Sequence, residues 1–366
     1  MPFKRDDLPR LVNDPFKGKG GFMPDKIRDK ITVRVGLNEN LTFPKDVIKR
    51  LLQQVAETID PRVYPEDYCD SLCEILAKEN KLDPSQVIIG NGGDKIIDLM
   101  VRLTIYKGDS AVLVLPTYPM YEHAIKVQGG EITTCLLSPA PDFDINVDEL
   151  LASVTSRDRL LFLCSPNNPT GNQFSQEKLE KIISSFPGIV ALDETYSDFA
   201  DYSMVPLLHK YPNLIIMKSM SKFFGMAGMR IGYALADEFL IKRLKELLPA
   251  FNVNIASLEL AKLVLQEKKV LQKMVSEIIA ERERTFTALQ TIDGIDAYPS
   301  STNFILFKVL EKEAQQVQQT LLKEKGVLVR NMSALPRCEN CLRVSITTKE
   351  NNNKFLEALS AVLQSS

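Results

Sequence analysis

A chain of 366 residues with 45% hydrophobic and 25% charged side chains exceeds the size at which one hydrophobic core stops growing, near ~250–300 residues, and reads as a globular protein of two or three packing units. Its 45 basic and 47 acidic side chains leave a net charge of -2, which excludes the cationic excess that nucleic acid or anionic lipid would demand. The longest apolar runs, 111–115 and 160–164, fall far short of the ~20 residues of a membrane span. Residues 1–10 alternate charge and proline without the apolar stretch of a signal peptide, so the expectation is a cytoplasmic α/β protein with no nucleic-acid or membrane partner.

In chain order, residues 1–27 carry Gly18, Gly20, Gly21 and several prolines and read as an arm. Residues 46–59 place Val47, Ile48, Leu51, Leu52, Val55 and Ile59 on one helical face. Short apolar runs at 87–90, 111–115, 160–164, 189–192 and 214–217 suit buried strands. Helical segments lie between them, and this alternation predicts a mostly parallel sheet covered by helices on both faces. After about residue 250 the pattern changes. A long helical stretch carries Leu271, Met274, Val275, Ile278, Ile279, Phe286 and Leu289, followed by strand-like 303–309, 326–330 and 341–346 and a final helix. The predicted layout is an arm at 1–27, a large α/β domain at 45–252, and a smaller α+β C-terminal domain from 28–44 and 253–366.

Two histidines, His123 and His209, are too few for a His-rich metal site and make a Ser-His-Asp triad improbable. Of the cysteines at 69, 73, 135, 164, 338 and 341, four could in principle hold zinc. Neither pair has a turn glycine, however, and 69 and 73 read as one face of a helix, so no metal is expected.

Chemistry gathers where the predicted strands end, the edge at which open α/β sheets bind ligands. The strand at 214–217 leads into Ser219, Ser221 and Lys222, then Gly225, Gly228 and Arg230. A lysine there could form a Schiff base while the hydroxyls and the arginine hold a phosphate; the alternative is a solvated basic loop. The strand at 189–192 ends on Asp193, with Tyr196 three residues on. A buried aspartate needs a cation or good donors, and a pyridinium nitrogen would serve; the alternative is a helix N-cap. The turn at 165–171 aims the amides of Asn167 and Asn168. Gly90-Asn-Gly92-Gly93-Asp94 precedes a helix and can cradle an anion, although it has neither P-loop nor dinucleotide spacing.

These segments, in this order, resemble the fold-type I pyridoxal-phosphate aminotransferases, and among them the histidinol-phosphate aminotransferase group. The likeness runs from about 37 to 344 through Leu37-Asn-Glu-Asn40, Tyr64-Pro-Glu66, the Gly-Asn-Gly-Gly-Asp turn, Leu115-Pro-Thr-Tyr118, Ser-Pro-Asn-Asn-Pro-Thr-Gly171, Asp193-Glu-Thr-Tyr196, Ser-x-Ser-Lys222 and Cys341-Leu-Arg343-Val. It implies pyridoxal 5'-phosphate as cofactor, with Lys222 carrying it and shuttling a proton, and Asp193 keeping its ring nitrogen protonated. By the same resemblance Asn168 and Tyr196 bind the ring's 3-oxygen and Tyr118 stacks on the ring. Gly93, Asp94, Ser219, Ser221 and Arg230 hold the phosphate, and Tyr64 reaches it from the neighbouring subunit of a homodimer.

For substrates, the resemblance implies Arg343 for a carboxylate, Arg330 for the phosphate of histidinol phosphate, and Asn40 within the substrate loop. Two departures stand out. The arm offers Pro15-Phe16 where the family has a Pro-Tyr pair on the substrate phosphate, and Lys95 stands where many relatives have an acid. The leading expectation is transamination between histidinol phosphate and 2-oxoglutarate, in histidine biosynthesis. The alternatives are an aromatic or other amino-acid aminotransferase, a threonine-phosphate decarboxylase-like lyase, and a non-catalytic cofactor-binding module.

Overall fold

The computed structural model describes residues 31–364. The expected arm, including Phe16, and residues 28–30, 365 and 366 of the expected small domain lie outside the described residues.

The first half of the chain alternates helices with strands. Strand β1 (Val33–Arg34) is followed by helices α1 (Lys45–Thr58) and α2 (Asp70–Asn80), then β2 (Val87–Asn91), α3 (Gly93–Thr104), β3 (Ser110–Leu115), α4 (Met120–Gln128) and β4 (Glu131–Leu136). Next come α5 (Val147–Ser153), β5 (Asp158–Cys164), α6 (Gln176–Ser185), β6 (Ile189–Asp193), β7 (Leu214–Ser219) and β8 (Ile231–Ala236). Seven of these strands form one sheet in the order β2-β8-β7-β6-β5-β3-β4. The pairs from β7 to β4 are parallel, whereas β8 runs antiparallel to both β7 and β2. This mixed, mostly parallel sheet has helices on both faces, which is why its inner strands are apolar on both sides.

Two strands escape the run-of-apolar reading. β4 is an edge strand in which only Cys135 is fully buried, so Glu131, Thr133 and Thr134 dilute the hydrophobic signal. β8 is buried along its whole length, but it follows the glycine-rich loop so closely that it reads as part of that loop. Its hand matters for the site. Because β8 alone runs backwards, it begins where its neighbours end, with Asn91 opposite Ile231 and Ser219 opposite Gly232. Arg230, immediately before it, therefore arrives at the edge to which β2, β6 and β7 deliver their last residues.

The second half begins with α7 (Glu238–Leu247), α8 (Ile255–Gln266) and α9 (Lys268–Gln290), and the long helical stretch expected from Leu271 to Leu289 is the single helix α9, preceded by the separate α8. It ends with β9 (Ile295–Ala297), β10 (Phe304–Val309), α10 (Ala314–Lys325), β11 (Val327–Leu328), β12 (Arg330–Asn331), β13 (Cys341–Ser345) and α11 (Lys349–Gln364). β12-β13-β10-β9 form the antiparallel sheet of a small C-terminal domain. The single strand expected at 326–330 is split. β11 pairs in parallel with β1, and after Val329 β12 pairs with β13, which sets Arg330 opposite Arg343. A core of Phe304, Phe307, Leu321, Leu342 and Phe355 holds this sheet to α10 and α11. Helix α8 packs back on α1 and α2, its Leu258 and Ala261 joining the core of the large sheet.

Cys73 lies in α2, but Cys69 is the left-handed residue before it, with φ 62°, and not part of the expected helical face. All six cysteines are free and buried. Among the described residues no helix is long and apolar enough to cross a membrane.

Candidate active site

A cavity of about 500 Å³ opens at the strand-end edge of the large sheet, where it meets β12 and β13. Its lining contains Gly93, Asp94, Tyr118, Asn168, Asp193, Tyr196, Ser219, Ser221, Lys222, Arg230, Arg330 and Arg343, all singled out from the sequence. It also contains residues the sequence reading passed over, including Asn38, Glu39, Cys164 and Met332.

The floor is built by strand ends. β6 closes on Asp193, which is only 5% exposed. Its carboxylate accepts from the Tyr121 hydroxyl at 2.5 Å and the Thr195 N–H at 2.9 Å. Tyr121, missed in the sequence, is held by stacking on Phe162 with centroids 4.6 Å apart. No Lys or Arg among the described residues pairs with Asp193, and its burial raises the carboxyl above its ordinary value against the pull of those two donors. A buried acid with donors but no cation is suited to a protonated ring nitrogen, which would restore its charged form.

One wall is an anion cradle. Gly92 has φ 84°, and a Cβ there would come within 2.4 Å of the Arg230 guanidinium, so only glycine allows the turn and the arginine to meet. Gly93 opens α3, bringing free N–H groups beside Ser219, Ser221 and Arg230. Gly232 in β8 makes the approach possible, since a Cβ there would lie 2.4 Å from the Gly93 nitrogen. Asp94 turns one oxygen to Arg230 at 3.4 Å and accepts from the Tyr118 hydroxyl at 3.0 Å, placing that ring in the wall. Lys95 points away and pairs with Asp98 at 2.8 Å.

Opposite stand three basic groups. Lys222 donates to the Leu37 carbonyl at 2.9 Å. Its amine is lowered to about 8, first by burial and then by Arg343, with Arg230 adding to the effect and Glu39 and Asp94 opposing it. Arg343, in β13, is buried. It donates to Asn168 Oδ1 and to the Gly36 carbonyl, and lies 5.1 Å from the Phe304 ring centroid. Among the described residues it has no carboxylate partner and its Nε is buried without an acceptor, and burial is the largest of the effects that bring it down to about 10. Tyr196 opposes that lowering, and Arg330, its neighbour across the strand pair, adds to it. Two adjacent arginines, one with an orphaned donor, form a receptor for an anion.

Tyr196, from the loop after β6, is buried and held edge-on to Phe304 at 5.2 Å. Burial raises its phenol above the ordinary value and keeps it neutral.

Two expected residues lie elsewhere. Asn40 is outside the lining: its Nδ2 donates to the Phe223 carbonyl at 2.8 Å, and its Oδ1 accepts from the Thr42 N–H at 3.0 Å and hydroxyl at 2.6 Å. With its amide engaged at both ends it fastens the loop, while Leu37, Asn38 and Glu39 of that motif line the cavity. Tyr64 is 77% exposed, stacked on Phe251 with centroids 4.7 Å apart, and lies outside the cavity of its own chain.

On the face of β7 opposite Ser219, Lys218 is buried, pairing with Glu194 at 3.2 Å and donating to Ser197 Oγ at 2.7 Å. Burial disfavours its charge, but Glu194 and Asp198 outweigh that and raise it above the ordinary lysine value. Glu194 in turn accepts from the Met204 N–H at 2.5 Å and from the Ser203 hydroxyl. This ion pair clamps the 194–204 loop, which carries Tyr196.

Residues 30–359 match the model of the family described as aminotransferase class I and II. A histidinol-phosphate aminotransferase from Thermoanaerobacter pseudethanolicus is 37% identical over 359 residues, covering 97% of this chain and 99% of that protein. Among solved structures, the histidinol-phosphate aminotransferase from Sinorhizobium meliloti in complex with pyridoxal-5'-phosphate superposes with a TM-score of 0.84 at 25% identity, covering 91% of each chain. A decarboxylase from Sulfurospirillum multivorans superposes with a TM-score of 0.80 at 28% identity, covering 92% of this chain and 89% of that one.

Proposed function

Because the chain belongs to the class I and II aminotransferases, we propose that it is a pyridoxal-phosphate-dependent transaminase exchanging the amino group of histidinol phosphate with 2-oxoglutarate. The observation that carries this reading is that one cavity gathers Lys222, the buried acid Asp193 and the cross-strand arginine pair Arg330–Arg343.

The residues fit the cofactor. Gly93, Asp94, Ser219, Ser221 and Arg230 would hold its phosphate, Tyr118 its ring face, Asn168 and Tyr196 the ring 3-oxygen, and Asp193 the ring nitrogen. When bound, pyridoxal phosphate supplies the carbonyl carbon that takes the amino group and a ring that delocalises the electron pair left at the substrate α-carbon. Lys222 acts at a pH near its own pKa, so its Nζ can attack as a free amine, accept the α-proton and return it. Asp193 holds a proton on the ring nitrogen by staying ionised beside it, with Tyr121 and Thr195 fixing its direction. Arg343 orients the α-carboxylate of the oxo acid or its amino counterpart through the fork whose Nε lacks an acceptor. Arg330, one strand over, binds the distal anion of the phosphorylated donor.

For the assembly, we read the exposed Tyr64 and the stacked Phe251 as part of a homodimer contact that brings Tyr64 to the partner's phosphate cradle. The layout we favour is a large domain over 45–252 and a small one from 28–44 and 253–366, with α8 docked back on α1 and α2. Six buried free thiols suit a reducing, cytoplasmic setting.

The likeness to a decarboxylase favours a second reading, a lyase of the same branch. One experiment separates the two. Candidate donors are added singly to the yellow holoenzyme and the bound chromophore is followed. Histidinol phosphate should convert it to the pyridoxamine form. Conversion by phenylalanine or tyrosine in preference to histidinol phosphate would refute the substrate, and carbon dioxide release from threonine phosphate would favour the lyase.

A further inference from the structure

Tyr196 has one hydroxyl proton and two lone pairs, and which way the proton points decides what the residue can do in the cavity. One lone pair is filled: the Asn38 Nδ2 donates to it at 3.0 Å. Asn38 is 1% exposed and sits at φ 55°, a left-handed conformation that asparagine tolerates better than most residues. Its surroundings pin it on every side. Its N–H donates to Ser345 Oγ at 2.8 Å, Ser345 Oγ donates back to Asn38 Oδ1 at 3.1 Å, and Asn303 Nδ2 donates to the Asn38 carbonyl at 3.1 Å.

The amide has a definite sense in this arrangement. Ser345 Oγ, already accepting from the Asn38 backbone, spends its proton on Oδ1, so the other end of the amide, the NH₂ group, faces Tyr196. The phenol, kept neutral by burial, must then use its own proton elsewhere. The Arg343 cation nearby repels it, and the open side is the cavity that Tyr196 lines.

We propose that Asn38, backed by Ser345 and Asn303 of the small-domain sheet, is a positioning residue that makes the Tyr196 hydroxyl an obligate donor into the active-site cavity. The proposal rests on the reading of that cavity as the cofactor site. It also ties the loop before α1 and strands β10 and β13 to the electronic state of the bound ring, since a donor at the ring 3-oxygen stabilises its anion.

The test inverts the polarity of one bond while keeping its shape. Asn38→Asp has nearly the same size and tolerates the same backbone angle, and it can still accept from Ser345. It cannot donate, so the Tyr196 proton turns to it and leaves the cavity. The visible absorbance of the lysine-bound cofactor is titrated with pH in holoenzyme of wild type, Asn38→Asp, Tyr196→Phe and the double variant.

Loss of one hydrogen bond to a charged group should raise the midpoint by about one to two pH units, roughly 10–100-fold in proton affinity, in Asn38→Asp as in Tyr196→Phe. The double variant should titrate like Tyr196→Phe alone, because a role through the phenol has nothing left to act on. If Asn38→Asp shifts the midpoint equally in both backgrounds, its added charge is the cause and the proposal fails. It also fails if Asn38→Asp titrates like wild type while Tyr196→Phe shifts. Should Asn38→Asp fold poorly, the neutral Ser345→Ala, which frees the amide to flip, must give a smaller shift of the same sign that again vanishes with Tyr196→Phe; no shift overturns the proposal. Wild-type protein that takes up no chromophore would refute the cofactor reading itself, a different outcome from any of these.

Discussion

Replacing Lys222 by Met should stabilise the cofactor-stripped protein, and by an amount that depends on pH in a defined way. Burial and the neighbouring Arg343 lower the Lys222 amine from 10.5 to about 8. At about 1.4 kcal/mol per unit, this is a penalty of roughly 3 kcal/mol wherever the amine is charged in both states. Below pH 8 folded and unfolded chains both hold the proton, so the full penalty applies and is flat. Between pH 8 and about 10.4 the unfolded chain keeps a proton that the folded one has lost, and stability therefore rises with pH, by up to about 1.4 kcal/mol per unit, until the penalty is gone. Methionine has nearly the same length and no charge, so it lacks both the penalty and the slope. Urea unfolding of stripped wild type and Lys222→Met, run in parallel from pH 6.5 to 10.5, should show the variant ahead by about 3 kcal/mol at the acid end and the curves converging at the alkaline end. A gap that does not change with pH would mean that Lys222 titrates normally, and would remove the basis for its acting as a base near neutrality.

Asp193→Asn should retain cofactor through the phosphate cradle yet lower kcat by about 100-fold or more, because an amide cannot hold a proton on the ring nitrogen; near-normal turnover would make the aspartate a cap. Arg330→Ala should lower kcat/KM for histidinol phosphate by roughly 10–100-fold, the loss of one charge-assisted bond, and leave that for 2-oxoglutarate much less affected; equal losses for both substrates would place Arg330 off the phosphate. Lys218→Met strands the buried Glu194 without its cation and should destabilise the holoenzyme by about 3–5 kcal/mol, whereas adding Glu194→Gln should recover part of that loss in thermal unfolding; an unchanged Tm would show that the clamp contributes little.

How much of this was legible in the sequence follows from which signals are local. The strands ending in Asp193 and leading into Lys222 announce themselves as apolar runs, and the cradle announces itself by glycines. In both cases the chemistry follows a strand within a few residues. Arg330 and Arg343 were individually visible, but that they form a pair depends on the β12–β13 register, a contact between segments 13 residues apart with a loop between them. Tyr121 was invisible because it sits in a helix that reads as ordinary packing, and only the fold brings its hydroxyl under Asp193. Lys218 was hidden by its neighbour. On a strand successive side chains face opposite sides, so Ser219 opens to the cavity while Lys218 is carried to the other face of the same sheet.

The Leu37-Asn-Glu-Asn40 segment shows the limit most clearly. Two asparagines two residues apart offer the same chemistry, and nothing local decides between them. The decision belongs to Phe223 and Thr42, which engage the Asn40 amide, and to Ser345 and Asn303, which trap Asn38 at a positive φ with its NH₂ on Tyr196. Three of those four partners lie more than 180 residues away in the chain. A motif can therefore mark a loop as functional while tertiary contacts choose the residue, and exchanging the two asparagines' roles would require rebuilding both the Phe223 turn and the β10–β13 edge of the small domain.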